Sequence, residues 1–368
     1  MIIGIPKEIK DNEFRVAMTP AGAGELTKLG HSVLVQKDAG LGSAITDAEF
    51  KEAGALVVDS PAEIFSRAEI IIKVKEPLME EFKFFRDGLI IFTFLHLAAK
   101  KELTKALLEI NVTAIGYETI EKEDGSLPIL APMSAIAGKL SVQFGANSLL
   151  APCGGPGILL GGVANIERGC VVILGAGIVG QNAAEVAIGL GARTIILDIN
   201  TNKFRMLHEK FHNCIETVVS TPESIEKLVP KANLLIGAIH VAGAKTPVIV
   251  KRELVAKMKK GSVIVDVDVD QGGCIETIRP TTHSEPTFVE EGVIHYGVSN
   301  MPGAVPRTST FALANVTLPY IKTIAELGVE AALKDDLALK RGLNTYKGKI
   351  MNRAVSETLG IKYEELTK

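Results

Sequence analysis

The chain has 368 residues, 47% hydrophobic and 23% charged, enough to bury two domain-sized cores and too apolar for a disordered chain. Forty Lys and Arg against 43 Asp and Glu give a formal charge of -3, with no basic block to neutralise a phosphate backbone, so no nucleic-acid partner is expected. The longest apolar stretch, Gly88 to Ala99, contains Thr93 and His96 and falls short of the roughly 20 residues that span a bilayer, so no membrane partner is expected either.

In chain order, short Ile- and Val-rich runs alternate with helix-compatible segments. The first series is Met1 to Ile5, Ser32 to Gln36, Leu56 to Asp59, Ile70 to Lys75, Leu89 to His96 and Val112 to Tyr117. A second follows at Cys170 to Gly175, Arg193 to Asp198, Cys214 to Ser220, Leu234 to Ala238, Ser262 to Asp270 and Val293 to Val298. Apolar strands separated by helices read as parallel sheets covered on both faces. Six strands complete a doubly wound domain, so the second series is a whole one, and the chain reads as α/β with two domains.

Between the series, Ser134 to Ala151 reads as an interdomain helix starting at a Ser134 cap, ahead of the glycine-rich CGGPGILLGG. Thr308 to Leu333 is helical by pattern. The tail to Lys368 shows shorter helices and no strand series, and lacking a core of its own it should fold back onto the first domain. The start, MIIGIPKEIK, has no basic n-region, apolar h-region or cleavage site, which leads to the expectation of a cytoplasmic chain. Cys153, Cys170, Cys214 and Cys274 are widely spaced with no CxxC pair, so neither a zinc site nor a disulfide framework is expected and most should be small buried fillers.

The sharpest motif is Gly175-Ala-Gly177-Ile-Val-Gly180, placed after an apolar strand and at the start of a helical pattern. There Gly175 makes the turn, Gly177 lets backbone approach a pyrophosphate, and Gly180 permits close helix packing. The next strand ends in Asp198, positioned to accept hydrogen bonds from an adenosine ribose and to repel a 2'-phosphate. NAD is therefore expected over NADP, with Lys203 and Arg205 just beyond weakening that preference.

Arg15, Lys75, His96 and Asp270 each lie at or just past the end of a predicted strand, where open α/β sheets form their ligand crevice, so a common cleft between two domains is the expectation. A cation such as Arg15 or Lys75 suits a substrate carboxylate, and His96 or Asp270 suits proton transfer. Ordinary roles remain open for each: a solvated lysine, a core histidine, a surface ion pair, a turn aspartate.

Taken together, GIPKEIKDNEFRVAMTP, KVKEP, FTFLHLA, LAPMS, GAGIVG, DVDQGGC, RPTTH and NMPGAVPRTSTFAL resemble the alanine dehydrogenase / transhydrogenase alpha-subunit family, and within it the alanine dehydrogenases, in order along nearly the whole chain. The resemblance implies reversible NAD-dependent oxidative deamination of L-alanine to pyruvate and ammonia through an imine and a carbinolamine. It implies that Arg15 and Lys75 hold the substrate carboxylate and carbonyl, with Asn300 nearby, and that His96 and Asp270 move protons. For the cofactor it implies Ser134, Gly175, Gly177, Ile178, Val179, Gly180, Asp198, Lys203, Ser220, Ile239 and His240, with Val267, Asp268, Asp270, Asn300 and Met301 toward the nicotinamide. No metal is implied. It further implies two Rossmann-like domains, residues 1-128 with 307-368 for substrate and 129-306 for NAD, in a homohexamer.

The sequence departs from the family pattern at Ala135, Lys139, Cys153, Pro156 and Asp268. Strand alternation would put Asp266, Asp268 and Asp270 on one face, where neighbouring like charges raise at least one pKa. Three rival readings stay open: a nucleotide-binding transhydrogenase subunit with a membrane partner, an opine-type dehydrogenase such as the saccharopine enzyme, and a silent NAD-binding scaffold.

Overall fold

The computed structural model describes residues 1-239 and 246-366. The strands in chain order are β1 (Ile2–Ile5), β2 (Ser32–Gln36), β3 (Leu56–Val58), β4 (Ile70–Ile72), β5 (Ile90–Thr93), β6 (Thr113–Gly116), β7 (Cys170–Leu174), β8 (Arg193–Asp198), β9 (Glu216–Val219), β10 (Leu234–Gly237), β11 (Val263–Asp266), β12 (Thr287–Glu290), β13 (Val293–Tyr296), β14 (Leu343–Tyr346) and β15 (Lys349–Ile350). The chain divides into two compact units, Met1–Met133 with Val305–Lys368, and Ser134–Ala304.

In the first unit the sheet order is β15-β14-β6-β5-β4-β1-β2-β3, and in the second β12-β13-β11-β10-β7-β8-β9. Each contains a parallel run of six whose order, counted from its own first strand, is 3-2-1-4-5-6, the doubly wound arrangement. All twelve runs read from the sequence contain these strands, with ends trimmed by a few residues where the chain leaves the ladder for a loop.

Strands such as β4 (III) and β7 (CVVIL) are buried along their whole length because helices cover both faces. In the first unit Leu34, Ile64, Phe65, Ile71, Ile91 and Leu107 share one core; in the second Val172, Leu174, Ile195, Leu235, Met258 and Ile264 do. Each such side chain contributes about 1.5–3 kcal/mol on full burial.

Some expectations need correction. The helix begins at Leu130 and runs to Ser148, so Ser134 is a half-buried interior residue and not a cap; Pro132 falls in the first turn, where its missing N–H costs nothing. The tail does pack on the first unit, but as the antiparallel strands β14 and β15 on its sheet edge as well as helices. A further antiparallel strand, β12, edges the second sheet. The cysteines are free, yet only Cys170 and Cys274 are buried, while Cys153 and Cys214 are exposed.

Candidate functional site

In the first sheet the strand order reverses between β1 and β4, where the carboxyl ends of strands leave room for a ligand. The segment after β1 supplies Lys10, Glu13 and Arg15, that after β4 Lys75 and Glu76, and that after β5 His96. Arg15 is 2% exposed. Its Nε and Nη2 donate to the two carboxylate oxygens of Glu13 at 2.6 and 2.5 Å, and Nη1 faces Met133 Sδ at 3.4 Å. This fork fixes the guanidinium plane. Burial opposes ionisation of Glu13, but hydrogen bonds and charge from Arg15, with help from Lys75, hold its carboxyl below the usual range.

Lys75 has its backbone held on both sides. Its N–H donates to Glu8 at 3.3 Å, and its carbonyl accepts from the Thr93 hydroxyl at 3.0 Å. Burial, followed by the like charges of Arg15 and Lys10, lowers the ammonium to about 8, against weaker support from Glu13 and Glu76.

His96 adopts left-handed backbone, φ 51°, uncommon for a side chain with a Cβ. The Glu118 carboxylate explains it by collecting two successive amides, Leu95 N–H at 3.2 Å and His96 N–H at 2.6 Å. The imidazole stacks on Phe94 with centroids 5.9 Å apart, and its Nδ1 lies 3.8 Å from Glu76 Oε2. Glu76 is buried, and its Oε1 accepts from Lys10 at 2.9 Å and lies 3.2 Å from Lys100. Burial would raise the Glu76 carboxyl, but His96 and Lys10 hold it far below the carboxylate range. Arg15, Lys75 and His96, predicted separately, thus share one charged network through Glu13 and Glu76. Asp270 belongs to the other unit.

In the second sheet the order reverses between β7 and β10. Gly175 follows β7 with φ 105°, and a Cβ there would sit 2.4 Å from the Ala238 carbonyl. A Cβ on Gly180 would sit 1.9 Å from the Gly175 carbonyl, while one on Gly177 would meet nothing within 4 Å. Gly177 caps the helix Ile178–Gly189, whose first residue Ile178 is exposed while Val179 is buried, and a Cβ on Gly177 would meet nothing, so the first unsatisfied amides of this helix are suited to an anion.

Asp198 ends β8. Its Oδ2 accepts from Ala176 N–H at 2.7 Å and Lys203 Nζ at 3.0 Å, and Oδ1 from Asn200 N–H at 2.7 Å. Burial would raise this carboxyl; the three donors outweigh it and lower it. Ser220 N–H donates to the Asp198 carbonyl at 3.0 Å, and Ile239 lies beside Gly175. His240 lies outside the described residues.

The three aspartates do not line one strand face. β11 ends at Asp266, and the chain curls into a 3-10 turn, Val269–Gln271, with Asp268 at its cap and Asp270 within it, reversing at Gly272. Val267 N–H returns to the Gly237 carbonyl at 3.0 Å, and Asp270 accepts from the Ser299 hydroxyl. Asn300, φ 67°, places its backbone carbonyl 3.3 Å from His283 Nε2, and buried Met301 opens the turn Met301–Ala304. Lys139 pairs with Glu185. Among the described residues no helix is long and apolar enough to cross a membrane, and no three His, Cys, Asp or Glu side chains converge to hold a metal.

Residues 4–137 match the alanine dehydrogenase/PNT N-terminal domain, and residues 141–353 match the C-terminal domain of the same family. The chain belongs to the alanine dehydrogenase/PNT family. An alanine dehydrogenase of Methanococcus maripaludis is 52% identical over 100% of this chain and 99% of its own, and one of Bacillus subtilis is 51% identical over 99% and 96%. A solved L-alanine dehydrogenase, 49% identical, superposes with a TM-score of 0.95 over 98% of this chain and 99% of that one. A transhydrogenase from Sinorhizobium meliloti, 24% identical with a TM-score of 0.81, shares the fold.

Within this family member, Glu13, Glu76 and Glu118 are site residues that sequence reasoning did not single out. The available signal was charge adjacency: Glu13 stands two residues before Arg15, and Glu76 directly follows Lys75. Glu118, 22 residues beyond His96, carries no such signal.

Proposed function

We propose that the protein catalyses the reversible NAD-dependent oxidative deamination of L-alanine to pyruvate and ammonia. The observation that carries this reading is the network at the carboxyl edge of the first sheet, where Arg15, Lys75 and His96 are tied together through Glu13 and Glu76. Two cations suit a 2-oxo acid, and an imidazole suits the protons of an amine and an alcohol. Whole-length identity near 50% to alanine dehydrogenases supports the same substrate.

On this reading Arg15 and Lys75 hold the substrate carboxylate and carbonyl, with Asn300 assisting. His96 turns Nδ1 toward Glu76, so Nε2 is the nitrogen that takes a proton from the water attacking the imine. It returns that proton as the carbinolamine expels ammonia. Asp270, steadied by Ser299, shares in proton transfer. Gly175, Gly177, Ile178, Val179 and Gly180 receive the pyrophosphate of NAD, Asp198 its ribose, and Ser134, Lys203, Ser220, Ile239 and His240 flank the adenosine side. Val267, Asp268, Asn300 and Met301 line the nicotinamide end. The bound nicotinamide supplies a two-electron acceptor. The same reading assigns residues 1-128 with 307-368 to substrate and 129-306 to NAD, in a cytoplasmic homohexamer.

The test is NADH oxidation with pyruvate plus ammonium, compared with glyoxylate, 2-oxobutyrate, and 2-oxoglutarate plus lysine. Pyruvate gives the highest kcat/KM. Activity confined to 2-oxoglutarate plus lysine, or NADH binding with no turnover on any acceptor, overturns the reading.

A further inference from the structure

Asp266 is fully buried at the end of β11 and has no part in the chemistry above. Its two carboxylate oxygens grip both ends of the loop that follows: Oδ1 accepts from Asp268 N–H at 3.1 Å and Oδ2 from Cys274 N–H at 2.8 Å. Backbone closes in around it. A Cβ on Gly237 would stand 2.9 Å from Oδ2, and one on Gly273 2.7 Å from it, so neither position has room for a side chain against the carboxylate.

The loop's other bonds are mostly its own. Gln271 and Gly273 N–H donate to the Asp268 carbonyl at 2.9 and 3.1 Å, and Gly272 N–H to Val269 at 3.0 Å. These shape the turn but do not aim it. Two ties reach it from outside along its length, Thr246 N–H on the Gln271 carbonyl at 3.1 Å and the Ser299 hydroxyl on Asp270, while its two ends are fixed to β10 and β11 by Val267 N–H on Gly237 and by the Asp266 carboxylate.

We propose that Asp266 is a positioning residue, whose carboxylate folds the 267–273 loop and thereby sets Asp270 and the nicotinamide-end residues Val267 and Asp268 for the reaction. The assignment of roles to those three residues rests on the alanine dehydrogenase reading above.

Its neighbours give Asp266 little help in staying charged. Among the described residues the titratable groups facing it are Cys274, whose amide and thiol donate to it, and Asp268, whose like charge opposes it; burial is the largest influence and pushes the carboxyl up to about 6. Among the described residues no cation pairs with this carboxylate, and a buried carboxylate without one is a poor way to gain stability, which favours a role in shaping the loop. Ionised, it is an acceptor at both oxygens and satisfies both amides; protonated, one oxygen becomes a donor facing an N–H, and one tie is lost.

Asp266→Asn imitates the protonated state, and two readouts separate loop aiming from general damage. At pH 8 its kcat for pyruvate-dependent NADH oxidation falls at least tenfold while pyruvate KM stays within twofold, and kcat loses the wild-type acid limb near pH 6. In backbone hydrogen exchange, the Asp268 and Cys274 amides exchange at least tenfold faster than in wild type, with β7 and β8 unchanged. The wild type needs no variant for its own version: corrected for intrinsic rates, the same two amides lose protection between pH 8 and pH 5. Unchanged kcat, or loop protection that does not respond to the substitution or to pH, overturns the proposal. Faster loop exchange in a protein whose wild type does not reduce pyruvate with ammonium overturns the alanine reading and leaves the loop tie standing.

Discussion

Lys75 offers a quantitative handle on the substrate grip, because burial and the charges of Arg15 and Lys10 bring its ammonium down to about 8. About nine-tenths of it is charged at pH 7 and about one-tenth at pH 9, where an ordinary lysine is still almost wholly ammonium. If the charged form holds the 2-oxo acid, pyruvate affinity falls about tenfold between those pH values. The sign follows from the lowered pKa: binding is complete below it and lost as pH rises through it. The assay is the pyruvate Kd of the enzyme–NADH complex, read by nicotinamide fluorescence without ammonium so that no free amine titrates. Lys75→Arg, charged throughout, removes the alkaline loss. Lys75→Met forfeits a charge-assisted hydrogen bond worth about 1.5–3 kcal/mol, or about 10- to 150-fold in Kd at pH 7. A wild-type Kd that stays flat from pH 7 to pH 10 would refute the role given to Lys75.

Three further outcomes are expected. His96→Ala abolishes turnover while NADH still binds; near-normal activity removes the imidazole from the mechanism. Gly177→Ala leaves thermal stability unchanged, because its Cβ meets nothing within 4 Å in the protein, but weakens NADH binding at least tenfold by occupying the pyrophosphate's approach, so unchanged affinity displaces the anion site. Asp198→Ala raises the NADH Kd at least tenfold and improves NADPH relative to NADH, since the carboxylate also holds the Ala176 amide and releases Lys203 when removed; equal affinities before and after contradict the ribose assignment.

The parallel strands were legible because each is a short apolar run bounded by turn residues, a pattern that survives without any tertiary information. The additions at the sheet edges were not. β15 has only two residues, Lys349–Ile350, too few to show a period, and the Lys347-Gly348 turn before it lacks the usual Asn-Gly signature. Ser134 is not a cap because the helix begins four residues earlier, at Leu130, with Pro132 accommodated in its first turn. For the aspartates, alternation does not carry beyond Asp266, where β11 ends; the 3-10 turn Val269–Gln271 follows, and period-2 geometry no longer applies to Asp268 and Asp270.

Basic and imidazole residues at strand ends could be found by position alone, as Arg15, Lys75 and His96 were. Of their carboxylate partners only Glu13 is local, two residues from Arg15; the other contacts span distances invisible to local pattern. Glu76 meets Lys10 across 66 residues, and Glu118 meets the His96 amide across 22. Only folding the loops after β1, β4, β5 and β6 onto one sheet edge brings them into reach.

Isotope transfer tests the proposed chemistry most directly. With pyruvate, ammonium and NADH carrying deuterium at both C4 positions of the nicotinamide, the product is L-alanine one mass unit heavier, with the label on Cα. Alanine without the label, or labelled lactate in its place, would contradict it.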